Sequence, residues 1–194
     1  MGAVSLSRQT RETDIMVTLN LHGSGQAQID TGIGFFDHML TALTVHGGLD
    51  LSVRCQGDLA VDGHHTVEDV GIVLGQAIAK AVGDKKGINR YGTFYVPMDE
   101  ALARAVLDFS GRPYLVFDAA FQPQLVGSFD PQLTAEFFRA LVYHAGITAH
   151  ITLLAGGNDH HKIEAIFKAF AHALKEAVQP SGAAGALSTK GILE

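Results

Sequence analysis

The sequence predicts an α+β fold made by duplicating one βββαβα unit. Three observations carry that expectation. The order of periodic segments recurs once along the chain, a His-His-x-x-Glu sequence opens a helix twice, and the helices that follow share one apolar stripe. Strands are expected at Val4 to Thr13, Ile15 to Leu21 and Gln26 to Asp30. In the second of these, Ile15, Val17, Leu19 and Leu21 alternate with polar or flexible neighbours, as a half-buried strand requires. A helix from Phe35 to Val45, a strand from Leu49 to Cys55 and a long helix from His64 to Val82 complete the first unit. The turn-like run Gly83-Asp84-Lys85-Lys86-Gly87 joins it to the second. There the expected strands are Tyr91 to Met98, Ala101 to Phe109 and Pro113 to Phe117, followed by a helix from Pro131 to Ala145, a strand from Ile147 to Leu154 and a helix from His160 to Val178. The stripe Val67, Val70, Leu74, Ile78 and Ala81 falls on Ile163, Ile166, Phe170, Leu174 and Ala177 at the His64-to-His160 offset of 96, while His46 to His144 gives 98. Two such halves, roughly 1–84 and 90–179, are expected to share one core within a single domain spanning 1–194. The small-residue run from Pro180 to Ala186 and the polar Ser188-Thr189-Lys190 form a C-terminal tail.

Composition narrows the function. The 194 residues are 47% hydrophobic and 18% charged, with a net charge of −6, which opposes broad contact with a nucleic-acid backbone. The longest apolar run, Val70 to Ala79, is broken by Gln76 and followed by Lys80, well short of the roughly 18 residues of a membrane span. No targeting signal is read at the N-terminus, and the lone Cys55 cannot form an intramolecular disulfide, so a reducing cytoplasm is the expected compartment.

What stands out is ten histidines, with two adjacent pairs. Asp62 and Asn158 are expected as helix N-caps, which puts each pair at the second and third helical positions, where the helix dipole favours the neutral, metal-ligating imidazole. His64 and Glu68, like His160 and Glu164, are four apart and share a face. The second histidines, His65 and His161, are rotated by about 100°. One helix can therefore serve two neighbouring metal sites. His38 lies in another helix, and the offset of 98 places Glu136 at the same position in the second half. Each site would then hold histidines, a glutamate and one group from the shorter helix, a mixed set that suits Mn, Fe or Zn more than Ca or Mg. His150 is a rival ligand, whose repeat counterpart is Ser52; His22, His46, His144 and His172 are assigned structural or solvent roles.

These residues resemble the imidazoleglycerol-phosphate dehydratase family. The likeness runs through Arg8-x-Thr10-x-Glu12-Thr13, Thr31-Gly32-Ile33-Gly34-Phe35-Phe36-Asp37-His38-Met39-Leu40, His64-His65-Thr66-Val67-Glu68-Asp69, Pro97-Met98-Asp99-Glu100, Ser110-Gly111-Arg112-Pro113, Asn158-Asp159-His160-His161 and Ser188-Thr189-Lys190. It implies a fold related to the second domain of ribosomal protein S5. It implies a hollow octahedral homo-oligomer of 24 subunits, with active sites between subunits and two Mn2+ in each. His38, His64, His65, Glu68, Glu136, His160, His161 and Glu164 are the implied metal ligands. Many members carry His where this chain has Glu136, so His150 or water stands as the substitute there.

The implied reaction removes water from D-erythro-imidazole-glycerol phosphate to give imidazole-acetol phosphate in histidine biosynthesis. The hydrogen to be lost is not beside a carbonyl, so the ring must supply electrons, through a metal-bound imidazolate. Glu12 is the implied base, and also contacts substrate; Arg90, Arg112, Lys168, Ser188 and Lys190 are the implied phosphate-binding set. Asp99 and Glu100 organise the site or a subunit contact, without the sequence deciding between the two. An S5-like nucleic-acid-binding module and a non-catalytic metal-binding cage are the rival readings.

Overall fold

The structure, a computed structural model, describes residues 2–182, 185 and 187–189. Its elements run β1 (Val4–Gln9), β2 (Thr13–Asn20), β3 (Ala27–Asp30), α1 (Gly34–Gly47), β4 (Asp50–Gly57) and α2 (His64–Val82). The same order follows in β5 (Tyr91–Met98), β6 (Ala101–Asp108), β7 (Tyr114–Asp118), α3 (Leu133–Ala145), β8 (Thr148–Ala155) and α4 (Asp159–Val178). The duplicated βββαβα unit is thus present, as two four-stranded sheets with identical topology, β1-β2-β4-β3 and β5-β6-β8-β7. In each the last pair, β3 with β4 and β7 with β8, is parallel and the rest antiparallel. Among the described residues no helix is long and apolar enough to cross a membrane.

Each sheet buries one face under the helices of its own repeat, α2 on β2 and α4 on β5 and β6. The helix layers then pack on each other across the repeats, α2 against α3 and α1 against α4. Alternation produces this geometry: Ile15, Val17 and Leu19 of β2 and Ala103, Ala105 and Leu107 of β6 are at most 1% exposed, while their strand neighbours face outward. Phe36, Phe137, Phe138, Phe167 and Phe170 fill the space between helices, where Phe137 stacks on Phe167 with centroids 5.2 Å apart. On α2, Gly71 and Gly75 let α3 approach closely. A Cβ on Gly75 would lie 2.4 Å from the Leu141 carbonyl oxygen, and one on Gly71 2.8 Å from that of Phe137.

Several boundaries differ from expectation for local reasons. β1 stops at Gln9 because the Thr10 hydroxyl accepts the backbone N–H groups of Glu12 and Thr13, closing a turn. α3 begins at Leu133, since Asp130 holds residues 131 and 132 in a turn by accepting the Gln132 N–H. Asn158 caps α4 as expected, accepting the His160 and His161 N–H groups. α2 differs: its N-cap is Gly63, and Asp62 accepts the His64 N–H from one residue further out, so His64 and His65 are the first two helical residues. The repeats differ most in one connection. Residues 31–33 join β3 to α1, but the longer stretch 119–132 joins β7 to α3.

Candidate metal centre and its surroundings

Because α1 packs on α4, His38 of the first repeat meets the His160 and Glu164 of the second. Their ligand atoms all lie within 4.8 Å of one another. Glu164 Oε2 is 3.1 Å from His160 Nε2 and 3.5 Å from His38 Nε2, and Oε1 is 2.6 Å from Lys168 Nζ. Burial pushes the Glu164 carboxyl up, but the hydrogen bond and charge of Lys168, with His38 and His160, outweigh it and hold the group below its ordinary value. Phe35 packs edge-on against His160 at 5.0 Å, giving the cluster one apolar wall. Two imidazoles and one ionised carboxylate converging at this spacing fit a borderline divalent cation.

The pseudo-equivalent place lies where α2 meets α3. His64 Nε2 is 3.6 Å from Glu68 Oε2. Glu136 lines the same cavity of ≈ 560 Å³ as His64, together with Gly32, Leu59, Asp62 and Asp130. Its carboxylate pairs with Arg139, one turn along α3. The 119–132 connection contributes Leu125, Ser128 and Asp130 to this cavity, and its earlier part reaches α4, where the Gln122 N–H donates to Asp159 and the Ala120 carbonyl accepts from Lys162.

His65 and His161 join neither group. His65 Nδ1 donates to Asp58, 3.0 Å away, and His161 Nδ1 donates to Glu100, 2.8 Å away. These carboxylates raise both imidazoles above their ordinary pKa, against the expectation that the helix dipole sets the charge state; a hydrogen-bonded carboxylate outweighs a helix end. Glu100 in turn is held down at about 2, first by the Asn158 N–H and then by His161. Sequence reasoning missed Asp58, whose only signal was a carboxylate seven residues before His65.

Glu12 sits in the β1–β2 turn, its Oε1 3.8 Å from His65 Nε2 and its side chain 53% exposed. That turn is clamped to α2, because the nearly buried Asp69 accepts Arg8 Nε at 3.1 Å and the Thr13 hydroxyl at 2.5 Å. The phosphate-binding candidates sit on separate elements. Arg90 grips Asp108 with Nε and Nη2, and its Nη1 donates to the Leu187 carbonyl next to Ser188. Arg112 occupies the β6–β7 turn, its backbone N–H held by the Ser110 hydroxyl. Lys190 lies outside the described residues. His150 stands exposed on the sheet face turned away from the helices, between Val106 and Val116, so it is no substitute for Glu136 within the chain.

The imidazoleglycerol-phosphate dehydratase family model matches residues 31–174. The chain belongs to this family. A family member from Desulfotalea psychrophila is 57% identical over 189 residues, covering 97% of this chain and 95% of its own length. One from Clostridioides difficile is 59% identical over 171 residues, covering 88% and 89%. The crystal structure of imidazoleglycerol-phosphate dehydratase from Staphylococcus aureus superposes with a TM-score of 0.84 at 47% identity, covering 93% of this chain and all of that one. That of the Pyrococcus furiosus protein in complex with (S)-C348 gives 0.85 at 36% identity, covering 97% and 100%. Dehydratase relatives therefore share both the sequence and the duplicated fold, including the segments that carry His38, His64, His160 and their glutamates.

Proposed function

We propose that this chain is a metal-dependent hydro-lyase of histidine biosynthesis. It converts D-erythro-imidazole-glycerol phosphate to imidazole-acetol phosphate and water, with two Mn2+ per active site. The observation that carries this reading is the His38–His160–Glu164 cluster, built between repeats and matched by His64, Glu68 and Glu136 at the pseudo-equivalent place. Those six residues, with His65 and His161, would hold the metals. A cation held by these residues would supply positive charge that makes the substrate ring N–H more acidic, so that the ring could provide the electrons that expel the neighbouring hydroxyl.

The chain's own residues do the remaining work. Glu12, exposed and held on the clamped turn beside His65, takes the carbon-bound proton as general base. Lys168 is one turn from Glu164, which sets a cation for the substrate phosphate within a short reach of the metal cluster. Arg90, Arg112, Ser188 and Lys190 complete the phosphate set. Their spread over separate elements, with His65 and His161 outside the clusters, supports active sites completed by a second subunit, and the family resemblance implies a homo-oligomer of 24 chains with octahedral symmetry. A buried, unpaired Cys55 accords with a cytoplasmic location. The test is His160→Ala and His64→Ala, each assayed for ketone formation from imidazoleglycerol phosphate and for bound Mn2+. Both variants are expected to lose turnover and at least one metal per site; normal rate and metal content would overturn the assignment.

A further inference from the structure

We propose that Asp58 and Glu100 are positioning residues, each accepting a hydrogen bond from Nδ1 of the second histidine on its helix so that Nε2 is left to bind metal. The inference rests on the metal reading above and extends it to two residues outside the ligand set. It also explains why the two repeats use different carboxylates.

Glu12 and Glu100 occupy equivalent places. β2 and β6 present the same alternation of buried and half-exposed residues starting at Thr13 and Ala101, so the residue preceding each strand is Glu12 in one repeat and Glu100 in the other. Asp58 and Gly156 are likewise equivalent, being the first residues after β4 and β8. In the first repeat the loop residue Asp58 reaches His65 Nδ1, with its two oxygens at 3.0 and 3.2 Å. In the second repeat that place is Gly156, at φ 148°, where a Cβ would come 2.8 Å from Lys162 Cγ. No side chain is available there, and Glu100 supplies the acceptor instead. The first repeat is thereby spared the use of its own strand-leading glutamate on Nδ1, and Glu12 keeps an exposed carboxylate for proton transfer.

The tautomer follows from the acceptor. An ionised carboxylate only accepts, so in the neutral, metal-ligating ring each Nδ1 carries the proton and each Nε2 keeps its lone pair. Among the described residues, Nε2 of His65 and of His161 each faces an exposed carboxylate, Glu12 at 3.8 Å and Asp99 at 3.7 Å. Glu100 is the better fixed of the two tethers. Its Oε1 accepts the N–H groups of Gly157 at 3.0 Å and Asn158 at 2.8 Å while Oε2 holds His161.

That arrangement makes Glu100→Gln a sharp probe. The two backbone donors keep the amide oxygen at the Oε1 place, so the NH2 group faces His161 Nδ1. A donor there requires Nδ1 to accept, which moves the proton to Nε2, the nitrogen needed for metal. Among the described residues no backbone N–H donates to the Asp58 side chain, so Asp58→Asn can turn its oxygen to His65 and is the milder change, whereas Asp58→Ala removes the acceptor.

The experiment titrates metal-stripped protein with Mn2+ and measures ketone formation across the same concentrations. Glu100→Gln and Asp58→Ala are expected to bind Mn2+ about 10–100-fold more weakly and to regain most of their turnover when Mn2+ saturates. Glu12→Gln is expected to bind Mn2+ as the wild type does and stay inactive at every concentration. Wild-type Mn2+ affinity in folded Glu100→Gln or in Asp58→Ala overturns the proposal, as does a Glu100→Gln protein that is inactive with its metal sites filled. A wild-type chain that binds no Mn2+ overturns the functional reading itself, and this proposal with it.

Discussion

Replacing Glu164 by Gln keeps the shape of the side chain and removes the only charged donor of the His38–His160–Glu164 cluster. Glu164 is 7% exposed, and its two oxygens serve Lys168 at 2.6 Å on one side and His160 at 3.1 Å on the other. The amide of a glutamine can accept from one of them and must offer its NH2 to the other. Breaking a fully buried ion pair costs about 3–5 kcal/mol. Lys168 retains 17% side-chain exposure and only the Met98 sulfur, at 3.7 Å, as a weak alternative, which places the cost near 2 kcal/mol. At about 2–4 °C per kcal/mol for a chain of this size, the metal-free variant should melt about 4–8 °C below the wild type. Metal binding should suffer more. Loss of a ligand exceeds the 10–100-fold typical of a residue behind the ligands, so the weakening is on the order of 100-fold or greater. With Mn2+ at 100 times the wild-type Kd, the wild type gains about 2.7 kcal/mol and the variant about 0.4 kcal/mol or less. Thermal unfolding of both proteins with and without Mn2+ measures all of these quantities. Equal melting temperatures without metal, or the same Mn2+-induced rise in both proteins, would refute the reasoning.

Three further outcomes are expected. Gly75→Ala places a Cβ 2.4 Å from the Leu141 carbonyl oxygen and should lower stability by about 1–3 kcal/mol, seen as a lower melting temperature; an unchanged one would mean that α2 and α3 separate freely. In metal-free protein the raised His161 pKa contributes stability that is complete below its ordinary 6.5 and is lost as pH rises through the higher folded value. Glu100, lowered from 4.5 to about 2, contributes above 4.5 and loses that contribution as pH falls through about 2. Melting curves of wild type and Glu100→Gln should therefore differ most between about pH 4.5 and 6.5, and a pH-independent difference would contradict the pairing. Finally, burial pushes the Cys55 thiol up to about 11, so it should resist alkylation near neutral pH until the protein unfolds, and rapid labelling of folded protein would be inconsistent with its place on the buried face of β4.

The order of elements was legible in the sequence because each repeat writes the same alternation and the same helical stripe twice, and Val67 and Ile163 sit where the offset puts them. What the offset does not contain is which repeat's helix meets which. His38 and Glu136 are recognisable as counterparts, but their partners are the long helices of the opposite repeat, a consequence of how the two helix layers close. The rotation of about 100° between adjacent helical residues separates His65 and His161 from the clusters but leaves their partners unnamed. Those partners, Asp58 and Glu100, become visible only through strand register and loop geometry. The longer connection over 119–132 was legible as the gap between the strand expected to end at Phe117 and the helix expected from Pro131, but its place in the cavity beside His64 was not, because periodicity does not say where a loop packs. The α2 cap shifted by one residue because Asp62 and Asn158, alike in sequence, hold the first turns of their helices from different positions.

The most direct test follows imidazoleglycerol phosphate incubated with metal-stripped protein, with and without added Mn2+, recording ketone formation and particle size together. The account predicts no ketone without metal, and sustained ketone formation by a large homo-oligomer once Mn2+ is restored. Full turnover by metal-free protein, or a metal-loaded particle that forms no ketone, would contradict it.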